Sequence, residues 1–261
     1  MRTRRLCISL ALAVSVAAVL VWSLGNISHP AAAASLAFDS ATSWEGTSIS
    51  SPTVIKVGSG YKMWYQGRGM TFFKHFADLG LADSVDGITW VKSAGNPVLR
   101  PGDTGKWDDD YRGQVAVIYD AGLYKMWFTG ARASGAWQTG YATSTDGINW
   151  QVYAGNPVLQ AGPAGSWDEM EADGPTVIKD GALYKMWYHG CDAACTTYSI
   201  GYATSSDGIT WNKASSPVLL PTAGQWDQAG LLWPRVFKNG VTYELWYHSF
   251  YRVTTKLGHA P

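Results

Sequence analysis

Residues 181–211 read GALYKMWYHGCDAACTTYSIGYATSSDGITW. An apolar run at 184–188 gives way to a polar loop. A second run at 200–204 leads into a Ser-Asp-Gly turn and closes on Trp211. The same text stands earlier as YKMWF at 124–128 with GYATSTDGINW at 140–150. It stands earlier still as YKMWY at 61–65 with GLADSVDGITW at 80–90. A last copy opens as YELWY at 243–247 and reaches LGHA at 257–260. The chain is therefore built of repeats, and residues common to all units must be separated from the exceptions.

Each unit holds four short segments rich in β-branched and aromatic residues, separated by Gly, Asp and Asn. That is the pattern of strands and turns. The pairs Asp86-Gly87, Asp146-Gly147 and Asp207-Gly208 suit tight hairpins, because glycine accepts positive φ. Trp44, Trp107, Trp167 and Trp226 recur about every sixty residues, each followed by an acid: Glu45, Asp108, Asp168 or Asp227. First strands are expected to start at Pro52, Val115, Pro175 and Pro234. A repeated four-stranded antiparallel unit of this size is a blade of an all-β propeller, with four units visible. Residues 36–44 resemble 99–107 and are a candidate for the strand that the last unit lacks; a longer propeller missing a blade is the alternative.

The 261 residues are 46% hydrophobic and 15% charged, enough for one domain with a sizeable core. Formal net charge is zero, which argues against a nucleic acid or an anionic membrane held by bulk charge. A monomer is expected. Residues 1–34 read as a signal peptide: Arg2, Arg4 and Arg5, an apolar run at 6–24, then Ala31 to Ala34 for cleavage. Residues 35–261 form the propeller. The chain is expected outside the cytoplasm, secreted or held by an uncleaved N-terminal anchor. Cys7 falls in the leader. Cys191 and Cys195, four apart in one loop, suit a disulfide in an oxidising compartment; a metal site with His189 and Asp192 is the alternative.

Repetition assigns most aromatics to the scaffold. Of fourteen tryptophans, eleven sit at repeated positions. In an antiparallel meander, connections alternate between ends. The long second-to-third loops (66–79, 129–139, 189–199 and 248–256) therefore share a face with the crossings after each repeated Trp. Variable loops on a rigid frame commonly carry binding groups. The unshared residues there are Asp109, Asp110, Glu169, Glu171, Asp173, Arg112, Arg235, Trp137 and Trp233. His189 and His248 hold one equivalent position, where the other units have Gln66 and Thr129. Glu171, Asp173, Arg112 and Arg235 are expected to converge near the axis. Acids, arginines and a few rings suit a polyhydroxylated ligand, since paired hydrogen bonds grip hydroxyls and rings cover sugar faces. A solvated acidic loop neutralised by the arginines is the alternative.

The run of P-x-V-I, YKMWY-x-G, IGYATS-x-DGI-x-W and NPVL resembles the five-bladed propeller glycoside hydrolases of the family 43 type. These include arabinanases, β-xylosidases, invertase-like enzymes and related phosphorylases. The resemblance covers nearly all of the chain after the leader and lies in blade motifs. It implies five blades, a carbohydrate substrate and three carboxylates at the channel mouth. The first implied position is Ser51, where the family has Asp. The second is Gln114, with Asp110 nearby. The third falls in Glu171-Ala-Asp173-Gly-Pro175. Glycosidic cleavage ordinarily needs a protonated carboxyl and an opposed carboxylate. Asp110, Glu171 and Asp173 are the catalytic candidates. Arg112, Arg235, Trp233, His189, His248 and Trp137 are the substrate-binding ones. A non-catalytic glycan- or surface-ligand-binding module is the other function considered. No cofactor is expected; the axial calcium of some relatives has no support in these residues.

Overall fold

The computed structural model describes residues 44–69, 77–251 and 254–260. The leader 1–34 and the segment 36–43 lie outside the described residues. Fifteen strands follow one another with no helix among those residues. Blade 1 is β1 (Ser48–Val57), β2 (Gly60–Arg68), β3 (Ala77–Ser84) and β4 (Val91–Lys92). Blade 2 is β5 (Tyr111–Asp120), β6 (Leu123–Ala131), β7 (Trp137–Ser144) and β8 (Gln151–Val152). Blade 3 is β9 (Glu171–Asp180), β10 (Leu183–Cys191), β11 (Tyr198–Ser205) and β12 (Asn212–Lys213). Blade 4 shows β13 (Leu232–Asn239), β14 (Thr242–Tyr251) and β15 (Thr254–Ala260). The architecture is a four-bladed β-propeller of antiparallel sheets. Where the resemblance implies five blades, the described residues form four.

The repeated residues do scaffold work. Each repeated Trp covers an aromatic of the second strand: Trp44 on Tyr65, Trp107 on Phe128, Trp167 on Tyr188, Trp226 on Tyr247. The acids that follow are buried and paired locally, although Glu45 Oε2 has no hydrogen-bond partner. Glu45 pairs with Lys92, Asp108 with Arg112 and Asp168 with Lys213, while Asp227 accepts from Tyr247. The Asp-Gly segments are six-residue turns rather than tight hairpins. Asp86, Asp146 and Asp207 each accept backbone N–H groups two and three residues on. The outermost strand of each complete blade is only two residues, supplemented by a bridge from Leu99, Leu159 or Leu219 to the third strand.

Two devices join the blades, a tryptophan bond between blades 1 and 2 and between 2 and 3, and an aspartate cluster between 2 and 3 and between 3 and 4. Trp64 Nε1 donates to the Gly147 carbonyl at 2.9 Å, and Trp127 Nε1 to that of Gly208 at 2.8 Å. Asp120 holds Lys125, Lys179 and Tyr184; Asp180 holds Lys185, Lys238 and Tyr243. Packing runs from β1 to β5, β5 to β9 and β9 to β13, and no contact of like extent joins β13 to β1 among the described residues. The equivalents of Asp120 are Val57 in blade 1 and Asn239 in blade 4. The tryptophan equivalent to Trp64 and Trp127 in blade 4 is Trp246, which is half-buried where those two are sealed.

Candidate functional site at the axial mouth

One local irregularity builds the site. Ser51, Gln114, Gly174 and Trp233 stand seven residues after the four repeated tryptophans, and all have positive φ: 50°, 47°, 60° and 51°. At each, the ladder between first and second strands slips by a residue, which marks a β-bulge. Pairing then resumes toward the mouth. First strands therefore begin four residues earlier than the sequence suggests in blades 1 to 3, and Glu171 and Asp173 lie in β9 rather than in a loop. The residue before each bulge faces the variable position of the second strand: Ser50 opposite Gln66, Gly113 opposite Thr129, Asp173 opposite His189, Leu232 opposite His248. The scaffold thus repeats while the chemistry in this one layer changes from blade to blade.

Blade 3 carries the ionisable centre. His189 Nε2 lies 3.0 Å from Asp173 Oδ1 and 3.5 Å from Glu171 Oε2. Asp173 is 1% exposed and His189 2%. The approach to Asp173 is close but not aligned as a hydrogen bond: Asp173 Oδ1 and His189 Nδ1 are both buried without a hydrogen-bond partner. Burial raises the Asp173 carboxyl to about 7; the Glu171 charge adds to that, while His189 and Thr129 oppose it. Burial alone would lower His189, but Asp173 and Glu171 outweigh it and move the imidazole upward against the repulsion of Arg235. Gly174 permits this closeness, since a Cβ there would lie 2.4 Å from His189 Nδ1.

The other blades close around this centre. Arg235 acts electrostatically on both His189 and His248, so the guanidinium stands near both imidazoles. Burial and Arg235 together lower His248. Trp233 stands edge-on to His248, with ring centres 5.5 Å apart. On the blade 2 side, Gly174 N donates to Thr129 Oγ1 at 2.9 Å, and the Thr129 hydroxyl reaches Gln114 Oε1 at 3.3 Å. Tyr111 donates to Gln66 Oε1 of blade 1 at 2.7 Å and packs on Trp137, ring centres 4.7 Å apart. Trp137 in turn pairs with Glu171, the one parallel register joining blades 2 and 3. Cys191 and Cys195 are disulfide-bonded, and Cys191 pairs with Glu171. That bond anchors the loop beside the acid.

Two candidates fall elsewhere. Arg112 does not line the mouth: its Nε donates to Asp108 at 2.7 Å, its Nη1 to the Arg100 carbonyl at 2.7 Å, and it lies over Phe128. The repeated acid behind Trp107 claims it. Asp110 precedes β5, half-buried, with its N–H on the Ala131 carbonyl. It is not part of the group formed by Glu171, Asp173 and His189. Tyr111 is the mouth residue that sequence reasoning did not single out, while Gln114 and Thr129 were marked by position but given no role in the site. Their signal was present in the fixed offset from each repeated Trp. A separate groove on the rim of blade 3, lined by Trp167, Asp168, Trp211 and Lys213, is remote from this chemistry.

Donor atoms of Glu171, Asp173 and His189 lie within 4.8 Å of one another. One imidazole and two carboxylates are a poor match to calcium, which takes six to eight oxygens. The axial calcium of the resembling enzymes therefore does not fit these residues, and no chemistry is assigned to it.

No family model matches the chain. It is 27% identical over 203 residues to the uncharacterized protein Rv1502 of Mycobacterium tuberculosis strain H37Rv, covering 74% of this chain and 63% of that protein. The match to MT1551 of strain CDC 1551 has the same extent. The chain thus spans somewhat under two thirds of these relatives. Among solved structures it is similar to Zg3597, a family 117 glycoside hydrolase of the marine bacterium Zobellia galactanivorans. That match has TM-score 0.64 and 15% identity over 83% of this chain and 68% of the other. A thermostable family-43 glycoside hydrolase matches with TM-score 0.61 and 22% identity, over 79% and 67%. A member of the GH130 family, described as containing mannoside phosphorylases and hydrolases of β-1,2 mannosidic linkages, matches with TM-score 0.64 and 18% identity, over 89% and 72%. The fold is that of the glycoside-hydrolase β-propellers.

Proposed function

We propose that this chain is an extracytoplasmic, glycosidase-related propeller that holds an oligo- or polysaccharide at its axial mouth. The observation that carries the reading is the convergence of unshared residues from three blades at one mouth. Asp173 and His189, Arg235 and His248, Trp233, Gln114 and Tyr111 supply donors, acceptors and rings to a single space. Hydroxyls bind such mixed polar sites through paired hydrogen bonds, and a ring at the edge covers the sugar's apolar face. The leader 1–34 supports export, and the disulfide suits an oxidising compartment.

A second reading, cleavage of the bound glycoside, is favoured by Asp173. A buried carboxyl at about 7, directly before Gly174 and Pro175, is suited to protonate a departing oxygen. Hydrolysis also needs a group that activates water from the opposite side. Ser51 and Gln114 cannot do this, and Asp110 stands outside the group formed by Glu171, Asp173 and His189, so in this reading Asp110 would have to act from its place before β5. A glycan array combined with turnover assays on arabinan and aryl-glycosides tests both readings. Retention of a glycan by the wild type supports binding. Turnover abolished by Asp173→Asn adds cleavage, and neither retention nor turnover across the panels overturns the proposal.

A further inference from the structure

Buried charges in folded proteins are almost always paired, because desolvation of an isolated ion is costly. Arg112 follows this rule with Asp108 and Lys213 with Asp168, both carboxylates buried. Arg235, half-buried, has no such partner among the described residues. Its recorded hydrogen bond is from Nη1 to the carbonyl of Pro234, the preceding residue, at 3.1 Å, and it forms no ion pair with a carboxylate among the described residues. Burial is the sole influence on its guanidinium, pulling it to about 10, where it is still charged at neutral pH. Its neighbours across the space are the two imidazoles His189 and His248, which it repels. A cation therefore stands near two cation-capable rings, and no described carboxylate pairs with Arg235.

Carboxylates are near at hand, yet they are turned to other partners. Glu171 and Asp173 lie against the Nε2 side of His189, and Asp227 is bound to Tyr247. An arginine with no carboxylate partner among the described residues still has forked donors that match an oxyanion, which such a fork grips with two parallel hydrogen bonds. His248 can add a donor, and Trp233 beside it gives the ligand an apolar wall.

We propose that Arg235, with His248, is a recognition site for an oxyanion, carried either as a carboxylate or sulfate on the bound glycan or as free phosphate. This rests on the glycan reading for its location, and it narrows the ligand class to anionic ones. It also accounts for a charge that no carboxylate among the described residues pairs with.

The test uses the full chain and thermal-shift titration with inorganic phosphate, sulfate and oligogalacturonate, beside a neutral oligosaccharide retained on the array. The wild type is expected to melt higher with at least one oxyanion. Arg235→Gln is expected to bind it about ten- to hundredfold more weakly, the range for a lost charge-assisted contact. A response to phosphate or sulfate alone identifies a free-anion site; a response to oligogalacturonate alone identifies an acidic sugar. In ligand-free buffer Arg235→Met is expected to melt above the wild type, since it removes an unpaired charge. No oxyanion response in the wild type, or undiminished affinity in Arg235→Gln, overturns the oxyanion site. Loss of neutral-glycan retention in the wild type instead sinks the glycan reading. Arg235→Met melting well below the wild type shows a paired guanidinium and also overturns the inference.

Discussion

Asp173 and His189 are register partners on adjacent strands of blade 3, with Nε2 and Oδ1 3.0 Å apart and both side chains nearly sealed from solvent. Both groups take up protons more readily in the folded chain than in the unfolded one. Asp173 is raised from 3.8 to about 7, and His189 is raised from 6.5. The stability they contribute is complete below pH 3.8 and is lost as pH rises through about 7 and beyond. Across that window the wild type should lose stability relative to Asp173→Asn, with a slope approaching about 1.4 kcal/mol per pH unit for one proton. Urea unfolding of both proteins between pH 4 and 8 checks it, and parallel curves contradict it.

Gly174 makes room for the His189 ring at a φ of +60°. Gly174→Ala is expected to cost about 1–3 kcal/mol, from strained backbone and a displaced imidazole. Glycan retention should fall with it. A variant as stable as the wild type and still binding shows that the ring is not held where described.

Arg112 belongs to the scaffold. Arg112→Met leaves Asp108 buried without its partner and should cost on the order of 3–5 kcal/mol. Where the variant remains folded, glycan retention should be unchanged. Loss of binding without loss of stability returns Arg112 to the mouth.

The interblade tryptophans predict an asymmetry. Trp127→Phe removes a buried hydrogen bond to the next blade and some volume, at about 2–3 kcal/mol. Trp246→Phe, at the equivalent position in blade 4, should cost under about 1 kcal/mol, because no described blade packs over it. Chemical denaturation of the two variants compares them directly. Equal losses indicate that blade 4 is covered as blade 2 is.

Much of this was legible in the sequence, because a repeat protein states its scaffold several times over. Trp44, Trp107, Trp167 and Trp226 announced the blade period, and the acids behind them were rightly assigned to the frame. Two things were hidden. The bulges at Ser51, Gln114, Gly174 and Trp233 share no residue type, since a backbone slip can be filled by any side chain the ladder will force into positive φ. Strand starts were therefore misplaced, and Glu171 and Asp173 were read as loop residues. Arg112 was misread for a different reason. It is an exception in sequence, but the repeated acid Asp108 lies four residues back and takes its charge. Offset alone cannot show which way a side chain turns.

The account rests on the axial mouth being where a carbohydrate sits. Glycan-array retention of the wild type against Trp233→Ala tests that most directly. The expected result is at least one glycan held by the wild type and released by the variant. A wild type that retains nothing, or a variant that retains the same glycan as strongly, contradicts it.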